Sequence, residues 1–220
     1  MTPAADAVIR DYVERCLAGY TEDNRVYAEC VGQMAGVKLR TASVDDVTTI
    51  VHPFLYRWGR MGRLLGQKSF HGWEGRLAKV IRYNWQGLKR YRTVCLAVAG
   101  SDLSSYGADI ERLYEAFKSV LGRVGAPKAL HLICPHFFPM WDNAIANGVR
   151  AEMDQRPATS EEVEPFSPAD YYRFAAAVQD FIREHDRLLT ELSKRFGRSK
   201  VKIVDDCFWL ATKRPLAVFF

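Results

Sequence analysis

Two side chains with catalytic potential lie close together in the second half of the chain. Lys128 follows Gly125-Ala126-Pro127, and Asp142 follows an apolar loop at the predicted start of a helix. A carboxylate at a helix N-terminus accepts hydrogen bonds from free backbone amides and interacts with the helix dipole, which keeps it ionised, whereas apolar neighbours act in the opposite sense. Such a carboxylate can stabilise a positive charge or take a proton from water. The alternative for Asp142, taken alone, is a purely structural N-cap.

The segment before Asp142 predicts two helices joined by a tight turn. One helix spans Ser104 to Leu121, and the glycines from Gly122 to Gly125 end it. Pro127 suits the first turn of the next helix, because the missing N–H has no helical partner there. Free amides at this N-terminus, together with Lys128, form a site for a phosphate. An ordinary corner between two helices is the alternative.

Positive charge is concentrated in one part of the chain. The formal net charge is +5, but ten basic residues and a single acid, Glu74, lie between Arg57 and Arg92. The three arginines Arg57, Arg60 and Arg63 are spaced by three, which places them on one face of a helix predicted over Phe54–Leu65. Segregated positive charge favours a polyanion such as DNA. A solvated basic face without a partner is the alternative.

The remaining pattern predicts further helices and no strands. Helical periodicity covers 4–18, 22–35, 73–98 and a last helix over 200–211. Ser43 and Ser167 are predicted N-caps, and the helix that follows Ser167 runs to Phe196 and stops at Gly197. A polar, proline-containing stretch over 156–168 is the candidate linker. The fold class is therefore all-α.

Composition narrows the range of functions. The five cysteines are widely spaced and form no Cys-x-x-Cys pair, so buried free thiols are expected rather than a metal site, and we expect no metal and no cofactor. No apolar run approaches the roughly 20 residues that span a bilayer, and the first ten residues do not resemble a signal peptide. We expect a cytoplasmic protein that does not enter a membrane.

The hairpin and Asp142 together resemble the helix-hairpin-helix DNA glycosylases, a superfamily that includes endonuclease III and the 8-oxoguanine glycosylases. Its hairpin reads Leu-Pro-Gly-Val-Gly-x-Lys-x-Ala, and its essential aspartate begins a later helix. Here Leu121, Val124, Gly125 and Ala129 match the hairpin and Asp142 matches the aspartate. The resemblance covers about 119–149 and is greatest to divergent archaeal 8-oxoguanine glycosylases and bacterial anti-phage glycosylases.

The chain departs from the family pattern at four points. Leu121-Gly122-Arg123 replaces Leu-Pro-Gly, and the interval from hairpin to aspartate is several residues shorter. Pro127 occupies the position of the Schiff-base lysine of bifunctional members, and Lys128 comes one position later. The four-cysteine cluster of endonuclease III is absent. The resemblance therefore implies a monofunctional glycosylase, with lyase chemistry through Lys128 as the alternative.

The resemblance also implies a site. Asp142, with Lys128 as a possible second catalytic group, would act on the sugar of a nucleotide flipped out of double-stranded DNA. Candidate walls of the base pocket are Trp141, Phe138, His136, Trp58 and Trp209, with packing in the core as the alternative for each. DNA contacts are expected from Val124, Gly125, Lys128, Arg57, Arg60 and Arg63. Asp205 and Asp206 either reach a base edge or neutralise Lys200, Lys202 and Lys213.

The expected architecture is a single glycosylase-like unit over 1–220 that acts as a monomer. Residues 1–100 with 167–220 form one lobe, 101–156 form the hairpin-containing lobe, and the active site lies in the cleft between them. The excised base is either a phage-modified pyrimidine such as glucosylated hydroxymethylcytosine, in a defence role, or an oxidised purine, in repair. A non-catalytic DNA-binding module and a protein whose basic face meets an acidic partner are the competing hypotheses.

Overall fold

The computed structural model describes residues 3–18, 21–98, 103–142, 145 and 166–211. This part of the chain is helical and contains no strand, which confirms the all-α prediction for the residues described. The helices are α1 (Pro3–Ala18), α2 (Thr21–Gly36), α3 (Val44–Asp46), α4 (Gly62–Leu65), α5 (Trp73–Tyr83), α6 (Trp85–Thr93), α7 (Gly107–Ile133), α8 (Pro168–Glu184), α9 (Asp186–Phe196) and α10 (Lys200–Ala211). None of these is long and apolar enough to cross a membrane.

Local capping signals in the sequence locate several helix ends. Ser43 and Ser167 each accept a hydrogen bond from the backbone N–H three residues later, and the carboxylates of Asp46 and Asp170 accept one from the backbone N–H of the cap residue. Both are capping boxes, as the sequence predicts. Gly197 ends α9 with a φ of 62°, the left-handed conformation that favours glycine.

Three helices predicted as continuous are interrupted. The stretch predicted over 73–98 breaks at Asn84, whose side-chain amide donates to the Val80 carbonyl at 2.9 Å and whose oxygen accepts from Arg112 on α7. The helix predicted to run from Ser167 to Phe196 breaks at His185, whose ring contacts Asp6 of α1 at 3.2 Å. Both breaks occur where a polar side chain bonds to another helix, which local periodicity does not reveal.

The third interruption corrects the arginine prediction. Wide helical turns over Val47–Val51 and Phe54–Trp58 end at Gly59, and Arg60 has a φ of 53° before α4 begins. The three arginines Arg57, Arg60 and Arg63 therefore do not share one helix face, although all three are exposed. The left-handed conformation of Arg60 cannot continue a right-handed helix, so no single helix carries Arg57 and Arg63.

Helix α7 runs through the core and is broken at Gly122. It packs against α2, α5 and α8, while α10 packs against α1, α8 and α9. Gly122 has φ 69° and ψ 176°, so it divides α7 into two arms. The break is shorter than predicted, and Pro127 lies about a turn into the second arm rather than in its first turn. The Arg123 carbonyl, which Pro127 cannot bond, accepts the Tyr114 hydroxyl at 3.3 Å.

Replacing Gly122 by alanine is expected to destabilise the protein by about 1–3 kcal/mol, because this φ/ψ region is essentially restricted to glycine. The added Cβ would lie 3.7 Å from Phe70 Cζ, an ordinary contact, so the cost is conformational. Urea unfolding measures the change. Gly32→Ala in α2 is the control: its Cβ meets nothing within 4 Å, and it should stabilise by about 0.5–1 kcal/mol. Equal effects of the two substitutions would contradict the assignment of strain to Gly122.

Candidate active site

Lys128 is held by the segment that precedes α4. Its Nζ donates to the Gly59 carbonyl at 2.9 Å, across 69 residues of sequence. Gly59 follows the wide turn Phe54–Trp58, and a Cβ at this position would lie 2.8 Å from the Leu55 carbonyl oxygen, so a side chain would not fit without a shift. Burial lowers the pKa of Lys128, and the nearby Asp142 carboxylate opposes that change. The amine is thus partly desolvated and within the field of the predicted catalytic carboxylate.

Asp142 has the contact expected of a helix cap. Its Oδ1 accepts a hydrogen bond from the Ile145 backbone amide at 2.9 Å, and the residue is partly exposed. The loop before it is anchored from two sides: the Tyr171 hydroxyl donates to the Pro139 carbonyl at 2.9 Å, and His131 Nδ1 bonds to the Phe138 carbonyl at 2.8 Å. The carboxylate therefore lies at the end of a fixed loop.

A buried ion cluster on α10 lies beside these two groups. It consists of Lys202, Asp205, Asp206 and Arg198: Lys202 Nζ donates to Asp205 at 3.0 Å and also to Asp206, and Arg198 bonds to Asp206 at 2.5 Å. The Lys202 side chain is 3% exposed. Of the three lysines considered for the two aspartates, Lys202 is the one in this cluster; Lys200 pairs with Asp186, and Lys213 lies outside the described residues.

The ion cluster and the Lys128–Asp142 pair form one electrostatic unit. Burial raises the pKa of Asp205 to about 6; Lys202 opposes the rise, and the charges of Asp206 and Asp142 add to it. Burial alone would lower the pKa of Lys202, but Asp206 and Asp205 outweigh it and raise that pKa. Perturbed titratable groups gathered in this way are typical of functional sites.

The residues predicted to line the base pocket differ in how far they are exposed. Trp58 and Trp209 are half-buried, and Trp58 stacks on Phe54 with its centroid 4.8 Å away. Trp141 is 6% exposed beside Asp142, and its indole Nε1 has no hydrogen-bond partner. His136 is exposed and lines a groove with Tyr27 and Arg198. Phe138 is fully buried between Tyr91 and Phe137, so it belongs to the core rather than to an open pocket.

Three contacts, spaced by three residues along α7, join the basic segment to α7 from its break onwards. Gly122 lies against Phe70, Gly125 against Met61, and Lys128 against Gly59. Gly125 is buried there and Val124 is half-buried, so of these two predicted DNA contacts neither is fully exposed. The stretch from Arg57 to Arg76, at the start of the basic segment, has five exposed cations: Arg57, Arg60, Arg63, Lys68 and Arg76. We refer to these five residues as the basic surface.

Three arginines counted in the basic segment have structural contacts. Arg76 donates to the carbonyls of His71, at 2.6 Å, and Phe70, at 3.4 Å. Arg82 donates to the Ala42 carbonyl at 2.6 Å, and Arg92 donates to the carbonyls of Met34, Val37 and Ile133. The described cysteines 30, 95, 134 and 207 are free thiols, and the described residues contain no group of three or more side chains suited to hold a metal.

Sequence reasoning did not find the polar pair Tyr27 and His131. Because His131 Nδ1 must donate to the Phe138 carbonyl, the Tyr27 hydroxyl donates to Nε2, at 2.7 Å, and the ring is neutral. Burial lowers the pKa of His131 to about 3, and the positive charge of Lys202 adds to this effect. A histidine and a tyrosine 104 residues apart give no local signal.

Acid should destabilise the fold through His131. The unfolded chain protonates this ring near pH 6.5, whereas the folded protein does so only at about 3, so stability falls as the pH falls from 6.5 towards 3. The dependence reaches at most about 1.4 kcal/mol per pH unit. Urea unfolding at several pH values should show it as a difference from His131→Gln, whose amide can keep both hydrogen bonds. Parallel pH dependences would contradict it; Asp205 acts in the opposite direction but cancels in this difference.

Comparison with known proteins places the chain in no group. No family model matches the sequence, and neither a curated protein nor a solved structure matches it. The residues of the site are therefore the basis for a function.

Proposed function

We propose that the protein is a DNA glycosylase of the helix-hairpin-helix type, with two helical lobes and the active site in the cleft between them. It flips a modified nucleotide out of double-stranded DNA and hydrolyses the N-glycosidic bond, leaving an abasic site. The observation that carries the proposal is the electrostatic interaction between Lys128 and Asp142. The half-buried Lys128 amine lies within the field of this carboxylate, and its bond to the Gly59 carbonyl joins it to the segment that carries Arg57 and Arg60.

Asp142 supplies the chemistry. As the bond from C1′ to the base nitrogen lengthens, positive charge develops on the deoxyribose, and a fixed carboxylate stabilises it. The bonding pair leaves with the base, a water oxygen forms the new bond to C1′, and the water proton passes to Asp142. The Ile145 amide donates to Oδ1 at 2.9 Å and fixes the orientation of this carboxylate.

Lys128 supports a second chemistry, that of a glycosylase/lyase. Its position next to Asp142 is the observation that favours it, because a desolvated amine with a lowered pKa is a better nucleophile. In that reaction Nζ replaces water: it forms the bond to C1′, the base leaves with the bonding pair, and Asp142 takes a proton from Nζ. The C1′–O4′ bond then breaks, O4′ takes up that proton, and a protonated Schiff base between Nζ and C1′ results. Borohydride reduces a Schiff base to a stable protein–DNA adduct, whereas hydrolysis by water gives none.

The basic surface is the proposed DNA contact. Arg57, Arg60 and Arg63 are exposed in the segment whose Met61 contacts Gly125 of α7. The amides that begin the second arm of α7 are suited to one phosphate. Trp141 and Trp58 remain the preferred walls of the base pocket, with His136 and Trp209 at its margin. We propose that the protein acts as a cytoplasmic monomer.

The substrate is proposed to be a modified base, and two sources are considered. Glucosylated hydroxymethylcytosine of phage DNA would make the protein a defence enzyme, and 8-oxoguanine would make it a repair enzyme. A panel of duplexes, each containing one modified or damaged base, together with glucosylated phage DNA, separates them. The purified protein is incubated with each DNA, and released bases are identified by mass spectrometry. Unmodified duplex is the matched control.

We expect one class of modified base to be released, with an alkali-labile site at the same nucleotide. Release of no base from any DNA, together with salt-sensitive binding, would overturn the enzymatic proposal in favour of a non-catalytic DNA-binding module. Absence of salt-sensitive binding would overturn the DNA partner itself, since neutralised phosphates release counterions and make affinity fall with salt.

A further inference from the structure

The Lys202 ammonium group is enclosed on all the sides that the structure describes. Two carboxylates of its own helix, Asp205 and Asp206, accept its hydrogen bonds. Its Nζ also lies 5.1 Å from the centroid of the Trp58 ring and 5.4 Å from that of Tyr27, within the range of cation–π attraction. A buried cation is costly unless its partners compensate it fully, and replacing such clusters by apolar residues is often neutral or stabilising. Fold stability alone therefore does not explain why the cluster is there.

The contact with Trp58 leads directly to Lys128. Trp58 is followed by Gly59, whose carbonyl binds Lys128 Nζ at 2.9 Å. The backbone at this point is not held by a regular helix, because the wide turn ends at Gly59 and Arg60 is left-handed. Two backbone bonds hold the turn, from the Gly59 amide to the Phe54 carbonyl at 2.7 Å and from the Met61 amide to the Leu55 carbonyl at 2.9 Å. Side-chain contacts of the Trp58 ring with Phe54, Tyr27 and Lys202 add to them and fix the direction of the Gly59 carbonyl.

The N-terminal end of α10, which includes Lys202, is tied to the loop that leads to Asp142. Ser199 Oγ donates to the Pro135 carbonyl at 2.7 Å and accepts from the Lys202 backbone amide at 3.0 Å. The first turn of α10 is thus fixed against the start of that loop. The first turn of α10 therefore contacts both the segment that binds Lys128 and the loop that leads to Asp142.

We propose that Lys202 is a positioning residue for Lys128: its ammonium group holds the Trp58–Gly59 segment so that the Gly59 carbonyl binds the Lys128 amine. The charge of Lys202 also lowers the pKa of Lys128 directly, but the positioning of the amine is through Trp58 and Gly59. The importance of Lys128 for catalysis rests on the proposed function, but its placement by Lys202 does not.

Trace acetylation tests the proposal without DNA. The full-length protein is treated with a small amount of acetic anhydride, and the acetylation rate of each lysine is read from its peptides by mass spectrometry. In Lys202→Met, which keeps the apolar stem and removes the charge, Lys128 should react roughly tenfold faster than in the wild type, because local opening exposes the amine. Lys202→Arg, which keeps the charge and both carboxylate bonds, should restore most of the protection.

The control is Lys200→Met. Lys200 lies on the same helix as Lys202 but pairs with Asp186, which is not part of the ion cluster. It should leave the Lys128 rate unchanged. The buried Cys134 thiol reports general loosening, through its reaction with a thiol reagent. Unchanged Lys128 acetylation in Lys202→Met, with Cys134 still protected, overturns the proposal.

If Lys202→Met exposes Cys134 because the fold is lost, the acetylation rate of Lys128 in Trp58→Leu tests the proposal instead. This half-buried residue transmits the effect, so its replacement should also release Lys128 while the ion cluster stays intact. Unchanged acetylation in that variant overturns the proposal as well. Failure of wild-type protein to release any base would instead overturn the glycosylase and leave the role of Lys202 standing.

Discussion

Asp142→Asn is expected to reduce base excision by about a thousandfold while DNA affinity changes little. Loss of a group that stabilises transition-state charge typically costs 10²–10³ in rate, and loss of proton transfer adds to this. The asparagine oxygen can still accept from the Ile145 amide, so the helix cap and the loop are retained. Single-turnover cleavage at alkali-labile sites gives the rate, and fluorescence anisotropy gives the affinity.

Asp170→Asn is the matched control for this prediction. Asp170 is also an aspartate in the first turn of a helix. Its carboxylate accepts a hydrogen bond from the Ser167 backbone N–H and pairs with Arg173. Its replacement removes the same charge from a similar local setting, away from Lys128. Excision should stay within about threefold of the wild type, since surface changes of this kind have small effects. An Asp142→Asn variant that keeps a tenth of the activity would show that the carboxylate is a cap and no more.

Arg92→Met is expected to lower the free energy of unfolding by about 3 kcal/mol. The guanidinium donates to three carbonyls: Met34 at 2.7 Å, Val37 at 2.8 Å and Ile133 at 3.2 Å. It thereby joins the C-terminal ends of α2 and α7 to α6. Hydrogen bonds from a charged group contribute about 1.5–3 kcal/mol each, and a buried carbonyl left without a donor adds a desolvation cost. Methionine partly offsets this loss by filling the space. Urea unfolding measures the change.

The neighbouring Arg90 provides the comparison. It is exposed and lies over the Tyr106 ring at 4.7 Å, so Arg90→Met removes the same charge from the same helix at a cost of about 0.5–1 kcal/mol. A similar loss in the two variants would mean that the three carbonyls gain nothing from Arg92. Its pKa is lowered by burial, which agrees with a desolvated guanidinium.

The sequence by itself determined the features that depend on neighbours along the chain. The caps Ser43, Ser167 and Gly197 define helix ends through bonds that span three or four residues, and the structure has all three. The last helix, Lys200–Ala211, has the bounds that its pattern predicts. The absence of strands from the described residues agrees with the helical period of the apolar positions. The residue types and spacing in the sequence also predicted Lys128 and Asp142 as candidates for catalysis.

Only the tertiary structure decided how these residues are used. Charge counting cannot separate Arg92, which binds three carbonyls inside the fold, from Arg57, which faces solvent. It was the tertiary structure that placed Phe138 in the core, broke a helix at Asn84 and enclosed Lys202 beneath Trp58. Each outcome depends on atoms that are distant in sequence, and burial then changes the energy of a charge more than any local pattern does. The contact of Lys128 with the Gly59 carbonyl, beside Asp142, is the clearest case: both side chains are in the sequence, but their common surroundings arise only when the chain folds.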